Sequence, residues 1–180
     1  MTIVQPIRLL ASKNALMLLA FVICAGLSSA SHATSIRYEA QVLDRGGQPC
    51  FTVDKTHLAD APRLASIEVI AESGQSEIAW REFTVAGKGD AVIFFDAVCL
   101  PYGTKLENEG AFAAAQKLAA GRHYAVMLNT DVTRGGKLEN RRYRAYFCVV
   151  RRDDGRQRVQ QVFYDETVHR WNWDACGEPR

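Results

Sequence analysis

Beyond the first 33 residues the chain carries three histidines, His57, His123 and His169, the side chains best suited to moving protons near neutral pH. Nucleophilic catalysis would need a serine or cysteine on a sharp turn beside a histidine oriented by an acid. The sequence holds no Gly-x-Ser-x-Gly elbow. Asp54-Lys55-Thr56-His57 sets an acid near a histidine, but in a loop just after a strand, where polar residues are ordinary. A small secreted hydrolase built on His57 or His123 therefore stands as an alternative, not as the leading expectation.

Paired carboxylates fare no better. Asp153-Asp154 and Asp165-Glu166 are adjacent in sequence, and neighbours on a strand point to opposite faces. Neither pair has the spacing of a calcium loop. The glycine-rich pieces Gly46-Gly47, Gly87-Lys88-Gly89 and Gly135-Gly136 lie between strand-like runs and read as turns rather than phosphate cradles. No cofactor is expected.

Cysteine usage points to structure. Cys50, Cys99, Cys148 and Cys176 are isolated, with no Cys-x-x-Cys pair and no histidine at ligand spacing, so a zinc site is not expected. An even count suits a disulfide framework with three possible connectivities. The sequence alone does not choose among them. Cys50–Cys99 with Cys148–Cys176, one bridge per half, is the favoured pairing, each contributing about 3–4 kcal/mol through the unfolded chain.

The clearest asymmetry is charge. Residues 134–158 hold nine basic side chains (Arg134, Lys137, Arg141, Arg142, Arg144, Arg151, Arg152, Arg156, Arg158) against three acidic ones (Glu139, Asp153, Asp154). On a strand, Arg142 and Arg144 share a face with Tyr146, Cys148 and Val150, while Tyr143, Ala145, Phe147 and Val149 face the core. A solvated face balanced by acidic neighbours would explain the arginines. The sharper expectation is a docking surface for an acidic protein partner built from Arg142, Arg144, Arg152 and Arg156. Trp171 and Trp173 would join it, as two indoles on one side of an extended tail that a Cys148–Cys176 bridge would clamp across the hairpin. Nucleic acid is not expected, because no basic motif is interleaved with aromatics.

The elements that must position these residues are strands. Residues 36–43 alternate with period two, a turn follows at residues 44–49, and residues 50–53 resume extended structure. Residues 66–71, 77–85, 91–95, 123–129, 141–152 and 157–164 read as further strands, with residues 91–95 apolar enough for burial on both faces. Asp154-Gly155 is the strongest hairpin signal. Alanine-rich residues 111–120, stopped by Gly121, predict one short helix. Together these predict an all-β fold, an immunoglobulin-like antiparallel β-sandwich with one short helix, with an antiparallel β-barrel as the alternative.

Residues 1–33 read as a signal peptide. Arg8 and Lys13 precede an uncharged apolar run over residues 15–27, and Ser31-His32-Ala33 offers a cleavage site. The run is shorter than the ~20 residues a bilayer core needs, and Ile23 before Cys24 argues against lipidation. Residues 34–180 then form a single domain without a stable membrane anchor, periplasmic or secreted. The leader holds two basic and no acidic residues, so the 22 Lys+Arg and 20 Asp+Glu of the whole chain become balanced after cleavage.

Residues 47–53 (Gly-Gln-Pro-Cys-Phe-Thr-Val), residues 99–103 (Cys-Leu-Pro-Tyr-Gly) and residues 119–126 (Ala-Ala-Gly-Arg-His-Tyr-Ala-Val), followed by a charged hairpin, give a recognisable order. It resembles a group of small exported bacterial β-sandwich proteins over residues 36–164. Some of that group are described as periplasmic immunity proteins linked to type VI secretion. Many look like lipoproteins, which this leader does not, and the Trp171–Trp173–Cys176 extension has no counterpart in the pattern. The resemblance implies a non-enzymatic binding protein that occludes a secreted toxin. A structural envelope module is a further alternative.

Overall fold

The computed structural model describes residues 37–72, 77–84, 92–94, 98–106 and 113–177. The signal peptide expected over residues 1–33 lies outside the described residues. The rest is built from strands: β1 (Arg37–Arg45), β2 (Gln48–Val53), β3 (Arg63–Ala71), β4 (Glu77–Phe83), β5 (Leu100–Pro101), β6 (His123–Arg134), β7 (Lys137–Arg151), β8 (Gln157–Val162), β9 (Tyr164–Asp165) and β10 (Arg170–Trp171). Two 3-10 turns, Lys55–Asp60 and Asp174–Cys176, complete the described elements. The fold is all-β, as the alternating pattern predicts.

Two features of the expected sandwich are replaced. Eight strands join one curled, half-barrel sheet in the order β4-β3-β6-β7-β1-β2-β5, with β8 also on β7, and β9 and β10 form a separate two-stranded sheet, so two stacked sheets of a sandwich are not seen among the described residues. The sheet is also not wholly antiparallel, because β1 runs parallel to β7 over Tyr38↔Tyr143 and Glu39↔Arg144. From Ala40 onward β1 leaves β7 and pairs with β2, and β8 takes over the β7 edge from Tyr146↔Val162. This exchange lets the β1–β2 ribbon curl over the sheet. Phe51 thereby meets Trp80 and Phe147, with ring centroids 6.3 and 5.7 Å apart, inside a core that also buries Phe94, Tyr124 and Tyr143.

The short helix expected at residues 111–120 is absent from its described part. Residues 113–116 line β4: Ala113 and Arg81 exchange backbone hydrogen bonds, and the Gln116 N–H donates to the Ala79 carbonyl at 2.9 Å. An exposed sheet edge offers a row of unpaired backbone groups. Satisfying them outweighs alanine's helix preference in a segment too short to hold a helix alone. Likewise, among residues 92–94 the expected strand is reduced to a single bridge, Ile93↔Arg63.

Both favoured disulfides are present, Cys50–Cys99 and Cys148–Cys176, with Cα atoms 5.4 and 5.8 Å apart. At Gly47 (φ +90°) a Cβ would sit 2.7 Å from the Gln157 carbonyl oxygen, so only glycine lets the β1–β2 turn approach the start of β8 this closely. No helix among the described residues is long and apolar enough to cross a membrane.

Candidate binding face

Alternation along β7 sends Tyr143, Ala145, Phe147 and Val149 into the core and Arg142, Arg144, Tyr146 and Cys148 to the opposite face. The C-terminal segment then folds across that second face. After β8 the chain forms a small hairpin, β9–β10, in which the Asp165 carboxylate accepts from the Thr167 N–H at 2.9 Å and from its hydroxyl at 2.5 Å. These bonds hold the Asp165 carboxyl below the ordinary aspartate range. His169 turns the chain at φ +50°, and the Asn172 N–H returns to the Phe163 carbonyl at 3.0 Å. The Asp174–Cys176 turn delivers Cys176 to Cys148, which is 0 % exposed, on the buried side of this layer.

The result is a small second core. Cys148, Val162 and Cys176 are buried, with Tyr146, Val150, Trp171 and Trp173 packed on them. Tyr146 lies 4.3 Å from Trp171 and 5.8 Å from Trp173 between ring centroids, and Tyr164 stands edge-on to Trp171 at 5.4 Å. Trp173 lies flat on His123 at 3.9 Å. Burial lowers the His123 pKa, partly opposed by the nearby Glu72 carboxylate.

Beside this layer opens a cleft of about 470 Å³, lined by Tyr38, Glu39, Arg144, Tyr146, Phe163, Tyr164, Glu166 and Trp171. Phe163 is 57 % exposed at its rim and Val168 54 % exposed nearby, a high share for large apolar side chains. The Arg144 guanidinium is already engaged, ion-paired to Glu72 at 3.1 Å and set over the Tyr146 ring at 4.5 Å. Glu39, the register neighbour of Arg144, accepts from Gln161 Nε2 at 3.3 Å. Its pKa is raised above the ordinary glutamate value, first by loss of water and then by repulsion from Asp54.

The six residues expected to form one face therefore divide. Arg144 and Trp171 line the cleft, Trp173 lies behind it against His123, and Arg142 is exposed further back along β7. Arg152 and Arg156 belong to the β7–β8 turn, roughly 25 Å from Arg144 at ~3.3 Å per residue. There they border a separate cleft of about 390 Å³ with Asp44, Gly46, Gly47, Gln48 and Gln157. Arg156 is ion-paired to Asp154 at 2.7 Å. The basic run is thus distributed along a strand and does not form one cationic patch.

Sequence reasoning missed Tyr38, Glu39, Phe163, Tyr164 and Glu166. The first two reach the cleft through the parallel β1–β7 pairing, which leaves no local trace in the sequence. The others sit in the hairpin before the tryptophans, where an unbroken aromatic pair at Phe163-Tyr164 was the available signal.

The histidines proposed for catalysis occupy aromatic surroundings. His57 packs edge-on against Tyr38 at 4.5 Å and Tyr143 at 5.5 Å. Its neighbour Asp54 instead accepts from the Thr56 N–H and hydroxyl at 2.8 and 2.6 Å. Close by, the buried Arg141 binds Asp60 at 2.6 Å and anchors the 3-10 turn to the sheet. His57 Nδ1 and His123 Nε2 are buried without a hydrogen-bond partner, so neither ring is oriented by an acid through that nitrogen. Comparison with known protein families, with curated proteins and with solved structures gave no match.

Proposed function

We propose that this chain is a non-enzymatic exported binding protein, and that it acts as a periplasmic immunity protein by covering the working surface of an envelope-targeted toxin. The observation that carries the reading is the disulfide-pinned tail. It builds an aromatic cleft and leaves Phe163 and Tyr164 exposed in its lining. Binding interfaces concentrate their energy in aromatic anchors of this kind, held on a rigid support. Two disulfides suit an oxidising compartment outside the cytoplasm, in keeping with export directed by residues 1–33. The resemblance to exported immunity proteins gives the reading its biological content. The aromatic settings of His57 and His123 favour it over the hydrolase alternative.

The test is competition between cells. A strain deleted for the gene is grown against its parent on a surface where cells touch. Killing of the mutant, with survival restored by the exported protein, supports immunity. A mutant that holds its own while secretion is active removes that function.

A further inference from the structure

We infer that the aromatic cleft receives a cationic side chain, an arginine or lysine presented by a protein partner, rather than an acidic one. The inference rests on reading this cleft as the partner-binding face, and it reverses the charge expected from the arginine-rich sequence.

The charged groups of the cleft are one cation and two carboxylates. Arg144 is the one cation among its lining residues, and Glu72 and the Tyr146 ring hold its guanidinium. Two carboxylates line the same cleft, Glu39 and Glu166. Among the described residues neither lies within ion-pair distance of a cation. Glu39 is also partly desolvated and repelled by Asp54, the environment of a carboxylate lacking a counter-charge. The walls supply the second half of the site. Trp171 and Tyr164, nearly perpendicular at 71°, line the cleft with Tyr38 and Tyr146 as its aromatic walls. Aromatic faces carry negative quadrupole potential and attract ammonium or guanidinium groups. Carboxylates beside such faces favour a cation twice over, and a guanidinium can stack on a ring while its edge bonds a carboxylate. An incoming carboxylate would meet Glu39, Glu166 and ring faces, all of which repel it, while the charge of Arg144 is already offset by Glu72 although its Nε–H has no partner.

The experiment titrates the isotopically labelled, disulfide-intact protein with blocked Gly-Arg-Gly and follows the Trp171 indole resonance. The same tripeptide carrying citrulline or glutamate in place of arginine provides the comparison. The expected result is a saturable shift with arginine and about tenfold weaker binding with neutral citrulline. The E39Q/E166Q variant should show a similar loss while its melting transition and Trp173 resonance confirm an intact fold. No shift with the arginine peptide, equal binding of citrulline, tighter binding of glutamate, or full binding by E39Q/E166Q would each overturn the inference. Its failure is separable from that of the immunity reading, which cell competition decides whatever the peptide does.

Discussion

Trp173 lies against His123 with the two rings 16° from parallel and their centroids 3.9 Å apart. His123 is the register partner of Cys148, which is bonded to Cys176 three residues beyond Trp173. One stack and one disulfide thus fix the tail at neighbouring points on the sheet. The pH response of the stack follows from burial, which lowers the His123 pKa below 6.5 in the folded protein. As pH falls through that ordinary value the unfolded chain takes up the proton first, so stability declines. The decline levels off once the folded His123 is also protonated. H123F keeps an aromatic partner for Trp173 without a titrating group. Thermal melts from pH 7.5 to 5 (roughly the range spanning a histidine pKa) should show the wild type losing stability relative to H123F.

The disulfides have separable effects. Cys148 and Cys176 are 28 residues apart and Cys50 and Cys99 are 49 apart, so removing either should cost about 3–4 kcal/mol. Their local signatures differ. C148A/C176A should release the tail and change the Trp173 and His123 resonances, whereas C50A/C99A should leave those resonances in place. Denaturant melts paired with NMR spectra check both statements.

Gln161 acts as a piece of backbone. Where β1 leaves β7, the Gln161 side-chain oxygen accepts from the Val42 N–H at 2.6 Å and its Nε2 donates to the Ala40 carbonyl at 3.2 Å. The amide fills the gap between β1 and β8 as a strand's peptide group would. Q161A orphans both groups and should destabilise the fold by about 1–2 kcal/mol, with hydrogen exchange at the Val42 amide accelerated beyond the global change. Unchanged Val42 exchange would mean water replaces the side chain without penalty.

Glu39 should behave as a carboxylate retained at some expense of stability. Its folded pKa is raised above 4.5, so the folded state binds the proton more tightly than the unfolded state. Its contribution therefore worsens as pH rises through the raised value and is constant above it. E39Q preserves an oxygen for Gln161 and removes the charge. The variant should melt higher than wild type at pH 7, and the difference should vanish as pH falls below about 4.5.

Local features were legible in the sequence because local chemistry decides them. The Asp154-Gly155 turn, the β1–β2 hairpin and the division of β7 into two faces all follow from turn residues and alternation. Placing Trp171 and Trp173 over a Cys148–Cys176 bridge also follows, since an extended tail tied at that cysteine must cross the outer face. What the sequence concealed is decided across the sheet. The β4 edge recruits residues 113–116 and overrides their helical composition. The parallel β1–β7 contact brings Tyr38 and Glu39 to the cleft from more than a hundred positions away. Counting arginines did not reveal that Arg144 would be bound by Glu72 and Arg156 by Asp154.

The central claim is that the tail-built cleft is the working surface. The most direct measurement complements the deletion strain with three exported forms, wild type, F163A/Y164A and R152E/R156E, after matching their melting temperatures, and scores survival against the parent. The account predicts that wild type and R152E/R156E protect while F163A/Y164A does not. Full protection by F163A/Y164A, with protection lost in R152E/R156E, would contradict it and move the binding surface to the β7–β8 turn.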